Sequence, residues 1–361
     1  MNKILPVLIV LFFLLSCETD KSPLTPLANQ SLTSRFANFD PISTVTFSNI
    51  HIADVWGYVD ETTGIEYALV GHFRDATTGQ RTDGISILDV SDPENPVIIS
   101  TINTVPGFDI KTWQHYAYSV DGNSSGVGSV IDLSDPKNPR EVGKFQDAHN
   151  IFISEDGHLF AEASVPPLSI YDLNADPTNP RRIWGGGISG HDATVVGDIL
   201  YDFHGRDGLN IYDVGEKSAP QLLGVINDPT IAYYHSGWPT KDGKFLFICD
   251  ELSLDPAPDI TVWDISDPGN PRRVAQYSDP NATVHNLYII GDIAYVAYYN
   301  SGVRIFDVSN PRKFVLLAEY DTSESALEGF RGHPLGAFGV YPFTKSGRIF
   351  VSDTENGLFI F

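Results

Sequence analysis

One unit recurs along most of this chain and limits what it can become. "GISILDVSDPENPVII" (84–99), "GSVIDLSDPKNPREVG" (128–143), "LSIYDLNADPTNPRRI" (168–183), "LNIYDVGEKSAPQLLG" (209–224), "ITVWDISDPGNPRRVA" (260–275) and "VRIFDVSNPRKFVLLA" (303–318) share one pattern. Their aligned aspartates, Asp89, Asp132, Asp172, Asp213, Asp264 and Asp307, fall 40–51 residues apart, close to the repeat length of propeller blades. Each unit holds four short runs of alternating or wholly apolar character; in the third these are "NIFIS", "HLFAEA", "LSIYDL" and "RRIWG". Hairpin signals such as Glu155-Asp156-Gly157 and Lys241-Asp242-Gly243 part the first two runs. Asp-x-Ser-Asp-Pro-x-Asn-Pro parts the third from the fourth, each Pro presetting a turn dihedral while Asp and Ser side chains cap the bend. Sustained helical spacing is nearly absent.

Repeated units of four antiparallel strands predict an all-β chain folded as a β-propeller. The ends set the blade count. A seventh unit begins at "AFGVYPF" (337–343) and stops at "GLFIF" (357–361), without a fourth strand, while "ISTVTF" (42–47) precedes the first unit and has the character to supply one. Joining the ends predicts seven blades, with six or eight as alternatives, and leaves no open sheet edge. A monomer is the expected state.

The segment before the repeats reads as address rather than fold. Lys3 is followed by an apolar run from Ile4 to Leu15, too short to span a bilayer comfortably. It ends in Leu14-Leu15-Ser16-Cys17, which resembles a bacterial lipobox. Residues 1–16 are therefore expected to be a signal peptide, Cys17 the lipidated residue, and 17–34 a Ser/Thr/Pro-rich tether. Such a tether reaches about 20–25 Å from the membrane. The folded body is expected from 35 to 361, outside the cytoplasm and held at the outer membrane or cell surface. With Cys17 acylated, Cys249 has no disulfide partner and reads as a small buried hydrophobe.

The chain carries 46 Asp and Glu against 23 Lys and Arg. That excess repels phosphate backbones and argues against nucleic acid as a partner. It leaves the membrane, through the lipid, and an unknown protein or small-molecule ligand as the expected partners.

"LxIxDxSDPxNP" resembles the LVIVD repeat. "YYHSGWPTKDGKFLFICDE", "VHNLYIIGDIAYVAYYNSGVRIFDVS" and "GAFGVYPFTKSGRIFVSDTENGLFIF" resemble the bacterial choice-of-anchor B proteins. The resemblance implies a secreted or surface-held propeller and brings no established reaction.

Strand polarity sorts the remaining motifs. In a four-stranded blade the Ser-Asp-Pro-x-Asn-Pro turns lie on one face, and their turn chemistry accounts for them. The heads of the innermost strands lie on the other face. There His149, His191, His235 and His285 open four successive blades, while Ser48, Phe108 and Phe338 stand near the equivalent place in the rest. The loops between second and third strands share that mouth and carry Glu162, Asp202, His204, Arg206, Asp207, Asp250, Glu251, Asn300 and Asp353. Imidazoles with carboxylates suit a divalent ion, Zn2+ or Ca2+. The four histidines are thus candidate metal ligands. Asn150, Asp192, Asp250, Glu251, Asn286 and Asp353 are candidate ligand-binding residues, with Asn150, Asp192 and Asn286 expected to steady the rings as acceptors. A structural alternative has each histidine simply bonding the neighbouring blade's backbone.

Three functions follow: a propeller that binds a ligand or partner at its channel mouth, with or without a metal; a metal-dependent hydrolase or lyase using Glu251 or Asp250 as base; and an envelope scaffold. No phosphate loop, nucleophile elbow or His-Glu-x-x-His is present, and no catalytic residue is assigned.

Overall fold

The computed structural model describes residues 35–123, 126–146, 148–163, 167–187, 189–253, 256–323 and 335–361. Cys17, the signal segment and the tether lie outside the described residues. Among the described residues, seven four-stranded antiparallel sheets form a seven-bladed β-propeller. The innermost strands are Ile50–Val59, Asp109–Trp113, Asn150–Ile153, Asp192–Val196, Tyr234–Pro239, Leu287–Ile290 and Ala337–Tyr341, in blades 1 to 7. The ring closes as the sequence predicts. Ser43–Val45 supplies the fourth strand of blade 7, pairing antiparallel with Gly357–Ile360 in the register Ser43↔Ile360 and Val45↔Leu358.

Alternation along each strand sends side chains toward the two flanking blades, so the core lies between blades. Seven buried apolar clusters occupy the seven blade interfaces. Between blades 5 and 6, for example, Phe247, Val262, Tyr298 and Phe306 pack together. Cys249 belongs to that cluster, and burial pushes its thiol up to about 12, so it is inert at neutral pH.

The repeated aspartate has a local reason. Each closes its strand by accepting the backbone N–H two residues on: Ser91 N to Asp89 at 2.9 Å, Ser134 N to Asp132 at 2.9 Å, Gly215 N to Asp213 at 2.8 Å. The turns that follow also dock on the preceding blade. Ser43 Oγ donates to Pro93 O and Ser100 Oγ to Pro136 O, both at 2.6 Å. At the matching contacts of blades 2 and 4 the outer strand carries Gly143 and Gly224, where a Cβ would overlap the carbonyls of Thr178 and Pro268. These motifs build the ring and leave the other face for chemistry.

Candidate metal centre in the channel mouth

The innermost strands bring six rings into a closed collar. Successive centroids lie 5.4 Å apart from Phe108 to His149, 4.4 Å from His149 to His191, 4.4 Å to His235, 4.4 Å to His285, 4.2 Å to Phe338, and 5.5 Å back to Phe108. All four histidines therefore gather at one rim. In blade 1 the place expected for Ser48 belongs to Ala53, which packs with Phe338 beside Phe108. The register of that strand shifts between Ile52 and Val55, moving the collar position further along the chain than the repeat implies. Ala53 is small enough to let Phe108 and Phe338 meet.

The collar rings are fixed by main chain rather than by their sequence neighbours. The Nδ1 of His149 lies 2.6 Å from Gly122 O, that of His191 3.3 Å from His235 O, and that of His285 2.5 Å from Phe338 O. A carbonyl only accepts, so each of these Nδ1 atoms carries the proton, and each Nε2 keeps its lone pair. This corrects the expectation that Asn150, Asp192 and Asn286 steady the rings. Each shares a single partner on the second strand with the histidine before it, a bulge that lets both side chains reach the channel, and they line the cavity instead. The backbone-bonding alternative holds for three rings, and it prepares their free nitrogens instead of using them up.

Burial, together with repulsion from the neighbouring imidazoles, lowers the His191 and His235 pKa values well below the ordinary 6.5; burial also lowers that of His285. These rings are neutral at physiological pH, the form that binds metal. Glu251 faces them. Its Oε2 is 3.7 Å from His235 Nε2, and its Oε1 accepts the Tyr299 hydroxyl at 2.5 Å. Donor atoms of His191, His235 and Glu251 all lie within 4.8 Å of one another. A contraction of about an ångström would bring them to the spacing of three ligands on one ion with bonds of about 2.0–2.2 Å.

A cavity of about 410 Å3 runs through the collar, with all four histidines in its wall. Its upper wall includes Phe73, Phe108 and Tyr299; its lower wall includes Asp54, Asp109, Lys111 and Tyr288. Lys111 is buried and sits between carboxylates, with Nζ 3.3 Å from Asp54 Oδ2 and bonded to Asp109. Although burial disfavours its charge, Asp109 and Asp54 hold the ammonium above its usual range. Burial, with the Asp109 charge as a further cause, pushes Asp54 up to about 8. Burial likewise raises Asp192 to about 7.

Two expected site residues are elsewhere. Asp250 turns away from the channel, accepting Ala232 N at 2.7 Å and Tyr233 N at 2.9 Å. Asp353 accepts Thr322 Oγ1 at 2.6 Å and the backbone of Glu355 and Asn356. Both latch loops at the ends of second strands. Sequence reasoning missed Tyr299, Lys111, Asp54, Phe73 and Arg74, which also line the cavity. Only Lys111 gave a signal, as a lysine inside the apolar inner strand "DIKTW".

Behind the collar, Glu162 and Asp202 face each other between blades 3 and 4, both fully buried. Neither Glu162 oxygen meets a hydrogen-bond donor among the described residues. His204 Nε2 lies 2.8 Å from Asp202 Oδ1. Any side chain at Gly190 would overlap Glu162, which explains a glycine in "ISGHD". Burial, then the Asp202 charge, raises the Glu162 pKa well above 4.5, so the folded protein keeps a proton that the unfolded chain releases. The stabilisation is complete in acid and declines as pH rises toward the folded-state pKa. Glu162→Gln keeps the shape without the ionisation. At pH 8 it is expected to exceed the wild type by about 1–3 kcal/mol, and at pH 4 to match it. Urea unfolding at both pH values reads this; an identical pH slope in both proteins would count against a retained proton.

Comparison with known proteins agrees with this architecture. The LVIVD repeat model matches residues 79–104, 109–147 and 283–322. No curated protein matches the chain. Solved propellers do, at low identity. The RRP9 WD40 repeats are 11% identical with a TM-score of 0.62, the match covering 90% of this chain and 97% of that one. The periplasmic gluconolactonase PpgL of Pseudomonas aeruginosa is 14% identical at 0.62, covering 82% and 91%. The WD40 propeller domain of Doa1 is 12% identical at 0.59, covering 89% and 95%. Identities this low speak for the fold alone. The chain is a seven-bladed β-propeller, three stretches of which match the LVIVD repeat.

Proposed function

We propose that this propeller binds a small ligand in its channel mouth through a divalent metal ion held by His191, His235 and Glu251. The observation that carries the reading is the convergence of those three donor sets within 4.8 Å in the wall of a cavity of about 410 Å3. Two neutral imidazoles with one carboxylate suit Zn2+ better than Ca2+, which takes oxygen ligands. Tyr299 orients Glu251, and the His235 carbonyl orients His191. A ligand in the cavity would complete the coordination of such an ion. The hydrolase alternative loses one expected base, since Asp250 is committed to backbone, and in this reading Glu251 serves as a ligand. The same proposal places the body outside the cytoplasm, held by a lipid on Cys17, on the strength of "LLSC".

The test is metal content after loading the purified protein with Zn2+ and removing excess. The wild type is expected to retain about one equivalent, and His191→Ala/His235→Ala to bind at least ~100-fold more weakly. Equal retention by both proteins, or none by either, would end the metal reading.

A further inference from the structure

We propose that the ligand is a small polyhydroxylated carboxylate, its anionic end at an arginine pair on the rim and its hydroxyls on the polar belt below. The part of this that touches the metal rests on the reading above; the arginines and the belt do not.

The rim is unusual for so acidic a chain. The second-to-third hairpin of blade 1 reaches the channel mouth, where Arg74 and Gly79 join the cavity wall, and within it Arg74 and Arg81 face each other as bridge partners. Like charges directly opposite on paired strands destabilise one another. Neither guanidinium has a carboxylate partner among the described residues. Arg74 lies 4.4 Å over the Phe73 ring; Arg81 lies 5.7 Å over Phe73 and 5.6 Å over Phe108. Arg140, Arg181, Arg304 and Arg312 pair with Asp132, Asp172, Asp279 and Asp264. Arg182, Arg206 and Arg272 form no ion pair among the described residues either, but Arg74 and Arg81 differ in facing each other as bridge partners. An anion offsets the repulsion, and a planar carboxylate matches the guanidinium fork.

Below the collar the demand changes. The side chains of Asn150 and Asn286 have no hydrogen-bond partner among the described residues, and Asp192 uses one oxygen on Ala193 N at 2.7 Å. All three line the cavity, and Asn286 and Asp192 are 9% and 8% exposed. Amides both donate and accept, so ligand hydroxyls satisfy them on both sides; an ammonium, which only donates, leaves the amide N–H groups unanswered. A second anionic group is disfavoured beside Asp109. A cavity of about 410 Å3 lies at the small end of ligand pockets.

Titration calorimetry with three probes tests the inference: gluconate, sorbitol (hydroxyls without charge) and propionate (charge without hydroxyls). Gluconate is expected to bind at least ~10-fold more tightly than either, about 1.4 kcal/mol by the standard conversion. Arg74→Gln/Arg81→Gln, at exposed positions, is expected to reduce gluconate to the level of sorbitol and leave sorbitol unchanged. Sorbitol or propionate equal to gluconate, or an unaffected arginine variant, overturns the proposal. Repeating the titration in His191→Ala/His235→Ala separates the two readings. Arginine-dependent gluconate binding that survives there supports the ligand class without the metal. Binding lost there, while the arginine variant stays silent in the loaded protein, removes the ligand class and keeps the metal.

Discussion

Lys111→Met is expected to lower stability by about 3–5 kcal/mol at pH 8, the usual cost of removing one partner from a buried ion pair. Lys111 is 4% exposed in the channel, and its ammonium is held by Asp54, Asp109 and the Ile110 carbonyl, 4.5 Å over the Trp56 ring. Asp109 also accepts Ile110 N at 2.9 Å and Ile151 N at 2.7 Å, tying blade 2 to blade 3. Methionine matches the stem but leaves the Asp109 charge buried without its cation. Protonation is the escape. In the variant Asp54, already raised by burial, loses the cation that lowers it, so its folded-state pKa lies above that of the unfolded chain. Its contribution is then intact below about pH 4 and is lost as pH rises. The defect is therefore smaller at pH 5 than at pH 8, and Asp54→Asn/Asp109→Asn/Lys111→Met regains part of the loss. Urea unfolding at the two pH values measures this. A change under about 1 kcal/mol at pH 8 would show that Lys111 does not hold this cluster together.

The ease with which different parts were read from sequence follows their repetition. The turn aspartates and the four strand-head histidines recur, so period and strand polarity place them without coordinates. Arg74, Lys111 and Tyr299 occur once each at their positions, in blades whose other members carry something else. A pattern argument has no purchase on them. Neighbouring residues also part company at strand ends. Glu251 reaches the collar, while Asp250 beside it turns inward to the 232–233 backbone. Alternation settles facing within a strand, but both sit where the strand runs out, and the loop's hydrogen bonds decide. The His-Asn and His-Asp pairs show another irregularity. There two residues oppose one on the second strand, His149 and Asn150 against Glu162 and His191 and Asp192 against Phe203, so one joins the collar while the next still reaches the cavity wall. Blade 1 escaped because its register shift moves Ala53, rather than Ser48, into the ring.

The largest structural effect is expected from removing the closure. A chain starting at residue 48 loses Ser43–Val45, the outer strand of blade 7, and with it Phe36 and Phe39, which reach the interface of blades 6 and 7. Phe36 is 7% exposed, and Phe39 stacks on Phe361 at 4.5 Å. Losing a buried phenylalanine costs about 3–5 kcal/mol. Val45 and Phe47, which pack between blades 7 and 1, add to that. The strand Gly357–Ile360 is left with its backbone groups bare, a template for pairing with another chain. Two results are expected together: stability lower by at least about 5 kcal/mol, and concentration-dependent dimers or larger species in light scattering. Adding residues 36–47 back as a free peptide should reverse the association, because the edge it covers is the one exposed. Because each blade stacks on two neighbours, an open ring fails from its ends, and the His collar, drawn from blades 3 to 6 and bounded by Phe338 of blade 7, loses its frame on that side first. A truncated chain that stays monomeric with unchanged unfolding would mean that the ring stands without its seam.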